Sequence, residues 1–246
     1  MKHIPNILTL SNLFCGSIAC ILAVKGNFPE LILILLCASL IFDFFDGFVA
    51  RAVKASGAMG KELDSLADMV SFGLLPGVLI FSMLGGNFTY EDTTGGIKSL
   101  FSVFKGFSFF SLFVPLFSAY RLAKFNLDQE QAYYFKGLPT PANTIFIFSL
   151  YWLIAEKPGI FWNDQILLLM ITAFSCIILV SNLPLMSLKF SNFTWKDNSL
   201  VFSFLFISLG LFLLFQISAI PFIIIIYIIL SIIFRKKIIS NGVKTT

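Results

Sequence analysis

Apolar residues in this chain gather into long runs separated by short polar breaks. Eight runs reach or approach spanning length, at about 5–25, 29–51, 64–85, 99–123, 141–156, 165–185, 199–216 and 219–234. A helix rising 1.5 Å per residue needs about 20 residues to cross roughly 30 Å of hydrocarbon. The fifth and eighth runs are shorter than that. The breaks, such as "GGNFTYEDTTGG" and "NFTWKDN", carry the Gly, Asn and Asp that punctuate helices. The pattern predicts an all-α integral membrane protein with about eight transmembrane helices. Asn6, Thr9, Ser11 and Asn12 interrupt the first run, and no small-residue cleavage site follows it. It is therefore expected to be a retained helix rather than a signal peptide. No soluble domain, repeat or linker stands out, so residues 1–246 are expected to form one membrane-embedded domain.

Composition supports the same class. Of 246 residues, 58% are hydrophobic and only 12% charged, with a mean hydropathy of +0.92. Soluble domains carry about 25% charged residues, so most of this chain cannot face water. Cys15, Cys20, Cys37 and Cys176 all lie in apolar runs without a C-x-x-C pair, and are expected to be buried structural thiols. The single histidine, His3, excludes His-pair metal sites and two-histidine mechanisms. Carboxylates remain as the candidates for acid-base or metal chemistry.

Eight crossings place both ends of the chain on one side. With the ends in the cytosol, 13 of the 17 basic residues fall on that side, among them Arg51, Lys54, Lys61, Arg121 and Lys124. Lys25 and Lys157 lie opposite, and Lys98 and Lys105 sit near one helix end. This imbalance follows the positive-inside rule. It predicts a multi-pass protein of the cytoplasmic membrane with both termini cytosolic.

Charge also occurs where an apolar run should exclude it. The stretch "FDFFDGFVAR" places Asp43, Asp46 and Arg51 at the cytosolic end of the second run, and Asp64 and Asp68 open the third. Spacings of three and four put each acidic pair on one helical face. The short connection between the runs makes the two helices neighbours, so the pairs can converge. Four carboxylates so placed repel, unless some are protonated or a cation sits between them. Hard divalent ions such as Mg²⁺ and Mn²⁺ prefer oxygen ligands, and a pair of them can clamp a phosphate. Gly47 and Ala50 leave room beside the helix, and Arg51 can fork onto phosphate oxygens. The blander alternative is an interfacial ion-pair network with Arg51, Lys54 and Lys61. It is disfavoured because ionisable groups inside membranes are functional by default.

These residues resemble the signature of the CDP-alcohol phosphatidyltransferase family. Here it reads Asp43-x2-Asp46-Gly47-x2-Ala50-Arg51-x8-Gly60-x3-Asp64-x3-Asp68, with every fixed position filled. The flanking "IPNILTLSNLFCGSIA", "GKELDSLADMVSFG", "YRLAKFN" and "GLPTPA" resemble the phosphatidylserine synthase branch of that family. The resemblance covers about residues 4–145. It implies a six-helix core, here about 1–185, with two additional C-terminal helices at about 199–234. It also implies two divalent cations, Mg²⁺ or Mn²⁺, and a homodimer. The implied reaction transfers a phosphatidyl group from CDP-diacylglycerol to L-serine, releasing CMP. The resemblance makes Asp43, Asp46, Asp64 and Asp68 metal ligands, with Asp68 also accepting the serine proton. It assigns Gly47 and Arg51, with Asn6 and Thr9 of the first helix, to the CDP-lipid. Some relatives use a hydroxyl side chain six positions after the arginine; that position is Gly57 here, with Ser56 just before it.

Serine recognition is expected from Arg121, Lys124 and Asn126, a cation for the carboxylate and the Asn126 carbonyl for the ammonium. Their alternative role is a basic flank meeting lipid headgroups. Thr140 and Pro141 look like an N-cap and first-turn proline. Two other functions fit less well. Transfer to glycerol phosphate or inositol phosphate would call for more cations than the cytosolic side offers beyond the motif. A divalent-cation transporter would place its carboxylates near the midplane, not toward one face. No nucleic-acid partner is expected.

Overall fold

Proline in the first turn opens the first two helices, where its missing N–H removes no helical bond. These are α1, Ile4–Lys25, and α2, Pro29–Ala52. The structure, a computed structural model, describes residues 3–26, 28–54, 57–86, 107–127, 135–156, 164–186 and 195–235. Helix α3 runs Ala58–Met83 through one π-helical turn, Met69–Leu74. A 3₁₀ turn, Phe107–Leu112, leads into α4, Phe113–Leu127. Then follow α5, Thr140–Glu156, and α6, Gln165–Val180, capped by the Asp164 carboxylate. Helices α7, Trp195–Phe215, and α8, Ile220–Ile233, are joined by a 3₁₀ turn.

All eight expected helices are present, with two corrections of detail. Helix α3 begins at Ala58, not near 64, so Asp64 and Asp68 lie in its second and third turns rather than opening it. At 1.5 Å per residue this places them about 9 and 15 Å along the helix. Helix α6 stops at Val180. The residues beyond it include β2, Pro184–Leu185, in a two-residue antiparallel ladder with β1, Phe135–Lys136. The expected start of the fourth run near 99, together with Lys98, Lys105 and Lys157, lies outside the described residues.

Helices α1, α2 and α3, and the joined stretch of α7 and α8, are long and apolar enough to cross a membrane; α6 is a shorter apolar helix. Large apolar side chains such as Ile7, Phe14, Ile34 and Phe44 are exposed on the outer surface. That is the face a chain in lipid presents. Of the cysteines, all free, Cys15 and Cys176 are buried, but Cys37 is exposed on this apolar exterior.

Side-chain contacts fix the helix directions. Thr9 meets Asp46, whereas the Asn12 carbonyl receives Ser39, so α1 and α2 are antiparallel. Asn12 also meets Asp68 and Ser71, so α1 and α3 are parallel. The C-terminal end of α4 meets the start of α3 through Asn126 and Ser65, and the start of α5 through Arg121 and Thr140. Lys124 reaches Asn182, beyond the end of α6. The helices therefore alternate in direction, and one end of the bundle collects the acidic residues.

Two close approaches bring these helices together. A Cβ on Gly16 would collide with Ser71, whose Cα lies 2.7 Å from that position, so only glycine lets α1 seat against the π turn. Gly137, at φ +76°, presses on the carbonyls ending α6; a Cβ there would lie 2.6 Å from the Leu179 oxygen. The core between α1, α2, α3, α5 and α6 is filled by Ile32, Phe72, Leu79, Ile147, Phe148 and Leu179. The last two helices pack on one flank, where Tyr227 and Ser231 hold the Met186 backbone.

Candidate active site

Three polar residues climb one face of α1 at spacings of three: Asn6, Thr9 and Asn12. Each meets a different level of its neighbours. Asn6 Oδ1 lies 3.8 Å from where a Gly60 side chain would begin. Thr9 is buried, with its hydroxyl 2.6 Å from Asp46 Oδ2 and 3.0 Å from the Pro5 carbonyl. Asn12 is fully buried; its Nδ2 donates to Asp68 Oδ1 at 3.4 Å. Hydroxyls of Ser39 and Ser71 both donate to its backbone carbonyl, at 3.2 and 3.0 Å.

Asp43, Asp64 and Asp68 converge, each with a carboxylate oxygen within 4.8 Å of the others. Asp46 stands beside this trio, 5% exposed and bonded to Thr9. Its charge acts on Asp43 and Asp64. Of the four acids expected to converge from α2 and α3, Asp43, Asp64 and Asp68 meet as a trio, and Asp46 stands beside it. The π turn begins one residue after Asp68, and Thr144 of α5 donates to the Phe72 carbonyl within it at 2.9 Å. Such turns change the helical register locally and recur at functional sites.

The site residues fit hard divalent cations. Every candidate ligand is an oxygen, and no protein donor within the described residues satisfies the buried Asp64 Oδ1 or Asn12 Oδ1. An unpaired polar atom in such a place costs about 1–3 kcal/mol, which a bound cation would offset.

The remaining candidates divide. Arg51, exposed at the end of α2, folds back over Gly47, with Nη1 3.5 Å from where a Gly47 side chain would begin. Gly57 precedes α3 in extended backbone with open space around it; Ser56 lies outside the described residues. Arg121 is buried, stacks 5.6 Å over Phe125 and donates from Nη1 to Thr140 Oγ1 at 3.3 Å. Its charge interacts with that of Asp68, while its Nε has no partner among the described residues. Lys124 donates to Asn182 Oδ1 at 2.7 Å. Asn126 donates to Ser65 at 2.7 Å, and its backbone carbonyl accepts from Lys61 at 2.8 Å. Arg121 is therefore held in the interior at the start of α5, whereas Lys124 and Asn126 brace helix ends.

Two residues stand out that the sequence reading placed elsewhere. In the sequence Asn12 reads only as an interruption of an apolar run, although its spacing from Asn6 and Thr9 puts it on the same face. In the sequence Thr140 reads as an N-cap. It is the first residue of α5, and its buried hydroxyl accepts the Arg121 bond.

Comparison with known proteins gives the family. The family profile for CDP-alcohol phosphatidyltransferase matches residues 2–181, which include every helix contributing to the site. The chain is 31% identical over 210 residues to the CDP-diacylglycerol–serine O-phosphatidyltransferase of Helicobacter pylori (strain ATCC 700392 / 26695), covering 83% of this chain and 80% of that protein. It is 33% identical over 141 residues to the Bacillus subtilis (strain 168) protein of the same name, covering 57% and 71%. It is 30% identical over 150 residues to the archaetidylserine synthase of Methanothermobacter thermautotrophicus, covering 60% and 57%. With its acids from α2 and α3 gathered at one end of the bundle, this chain belongs to the CDP-alcohol phosphatidyltransferase family.

Proposed function

We propose that this protein is a phospholipid-synthesising transferase that moves a phosphatidyl group from CDP-diacylglycerol to L-serine, giving phosphatidylserine and CMP. The observation that carries this reading is the convergence of Asp43, Asp64 and Asp68 within 4.8 Å, with Asp46 alongside, in a chain whose relatives are named for that reaction. The acceptor is taken from those names. Residues 1–246 act as one membrane-embedded domain, its core about 1–185, with the extra helices at about 199–234 flanking it.

A lipid-linked donor and a water-soluble acceptor must meet where the bilayer meets water. The acids lie one to three turns from that end of the bundle, deep enough for the pyrophosphate while the acyl tails remain in lipid. Asp43, Asp46, Asp64 and Asp68 would hold two divalent cations, Mg²⁺ or Mn²⁺. When bound, these supply positive charge against the phosphate oxygens. Thr9 fixes Asp46, and Asn12 fixes Asp68. Arg51 reaches over Gly47 toward the nucleotide phosphates, and Asn6 and Gly57 line the same approach. Arg121 receives the serine carboxylate, and Lys124 and Asn126 hold the helix ends around it. The serine hydroxyl attacks the phosphorus bearing the diacylglycerol oxygen and forms a new P–O bond. The bond to the bridging oxygen breaks, CMP departs with that electron pair, and Asp68 orients the hydroxyl and takes its proton.

The positive-inside distribution assigns the acidic end, with both termini, to the cytosolic side of the cytoplasmic membrane. Reporters fused to each terminus should both read as cytosolic, and a periplasmic signal from either would reverse the assignment. The homodimer implied by the family resemblance predicts a detergent-corrected mass near twice the 27.5 kDa chain; a monomeric mass would reject it. The mechanism itself is tested by Asp68→Asn. This variant should retain CDP-diacylglycerol while turnover is abolished, and wild-type-like activity would end the assignment.

A further inference from the structure

The stretch of α3 that presents Asp64 has little of its own to keep it helical. Gly57, at the N-cap, brings no side-chain cap, and Gly60 sits in the first turn, where its missing side chain disfavours helix. The last turn of α4 supplies a hold from outside. Asn126 Nδ2 donates to Ser65 Oγ at 2.7 Å, and Lys61 Nζ donates to the Asn126 backbone carbonyl at 2.8 Å. The Ser65 hydroxyl, accepting from Asn126, donates onward to the Lys61 carbonyl at 3.1 Å. Lys61 and Ser65, four residues apart, share one face of α3, and Asp64 and Asp68 share the next. These bonds therefore fix the helix on both sides of Asp64. They also seat the Lys61 ammonium on the carboxyl end of α4, where the helix dipole favours a cation, rather than on the acids one turn away.

We infer that Asn126 is a positioning residue for divalent-cation binding: through Ser65 it clamps the turn of α3 that carries Asp64, so that this carboxylate stands beside Asp43 and Asp68 before any ion arrives. A loose start to α3 would have to be ordered on binding, and that cost subtracts from the affinity. The clamp rests on the reading that the acids hold divalent cations. It gives Asn126 a task on the metal side of the site, separate from contact with serine.

The test is a Mn²⁺ titration of the purified full chain in detergent, read by electron paramagnetic resonance of the unbound ion, which needs no turnover. Asn126→Ala should weaken Mn²⁺ binding roughly 2- to 10-fold, the worth of one hydrogen bond. The same substitution should change nothing once Ser65 is replaced by alanine, because the bond it removes is already gone. Ser65→Thr, which keeps the hydroxyl, should bind Mn²⁺ as the unaltered chain does. At saturating Mn²⁺ the serine KM of Asn126→Ala should equal that of the unaltered protein. Hydrogen exchange of residues 58–65 should be faster in metal-free Asn126→Ala and return to the unaltered rate with Mn²⁺. An undiminished Mn²⁺ affinity in Asn126→Ala, or an equal loss in the Ser65→Ala background, would overturn the clamp. If Asn126→Ala does not fold, judged by size-exclusion chromatography, Asn126→Leu carries the same comparison. An unaltered protein that takes up no Mn²⁺ would instead reject the metal reading itself, and the clamp with it.

Discussion

Asp64 offers a direct measure of the strain stored in the acidic cluster, because its buried Oδ1 has no protein partner among the described residues. Its carboxylate lies within 4.8 Å of those of both Asp43 and Asp68. At an effective dielectric of about 20, two charges at that separation repel by about 3.5 kcal/mol. Asp64→Asn keeps the shape and removes two such pairs, on the order of 7 kcal/mol at full ionisation. Protons shared among the metal-free carboxylates, with screening from the partly exposed side, leave roughly 1–3 kcal/mol of that. For a chain of this length each kcal/mol moves the melting temperature by about 2–4 °C. EDTA-treated Asp64→Asn in detergent should therefore melt several degrees above EDTA-treated wild type. Added Mn²⁺ should raise the wild-type Tm and leave the variant almost unmoved. Differential scanning fluorimetry measures all four conditions. A metal-free variant that melts below the metal-free wild type, or Mn²⁺ shifts of equal size, would refute the reasoning.

The other predictions follow from single contacts. Gly16→Ala should destabilise the fold by about 1–3 kcal/mol, since the new methyl meets the Ser71 backbone; an unchanged unfolding midpoint would show that α1 is not seated against the π turn as described. Thr140→Val removes the hydroxyl that holds Arg121. It should raise the serine KM several-fold without changing the KM for CDP-diacylglycerol, and Thr140→Ser should restore it.

The helices were legible because a 3.6-residue repeat in lipid needs only long apolar runs, and all eight runs became helices. The acidic convergence was legible because Asp43, Asp46, Asp64 and Asp68 sit at one-turn spacings on consecutive helices. What escaped depended on contacts between distant segments. The start of α3 at Ala58 is polar enough to read as a loop, with Lys61 and Glu62 in its first turns, yet Lys61 is held by Asn126. Its π turn is made by tertiary bonds from Thr144 to Phe72 and from Ser71 to Asn12, which no local pattern announces. Thr140 carried a strong local cap signal, and its bond to Arg121 spans 19 residues. Asn12 had the right spacing to be found, but only the depth of Asp68 on α3 shows what it faces.

The central claim is that a divalent-loaded acidic quartet transfers a phosphatidyl group to serine. Its most direct test is purified protein in detergent–lipid micelles with CDP-diacylglycerol and labelled L-serine, inositol phosphate or glycerol phosphate, with and without Mg²⁺ or Mn²⁺. The account predicts labelled phosphatidylserine and stoichiometric CMP only when serine and a divalent ion are both present. Product from either phosphorylated alcohol in preference to serine, or metal flux through the protein with no CMP released, would contradict it.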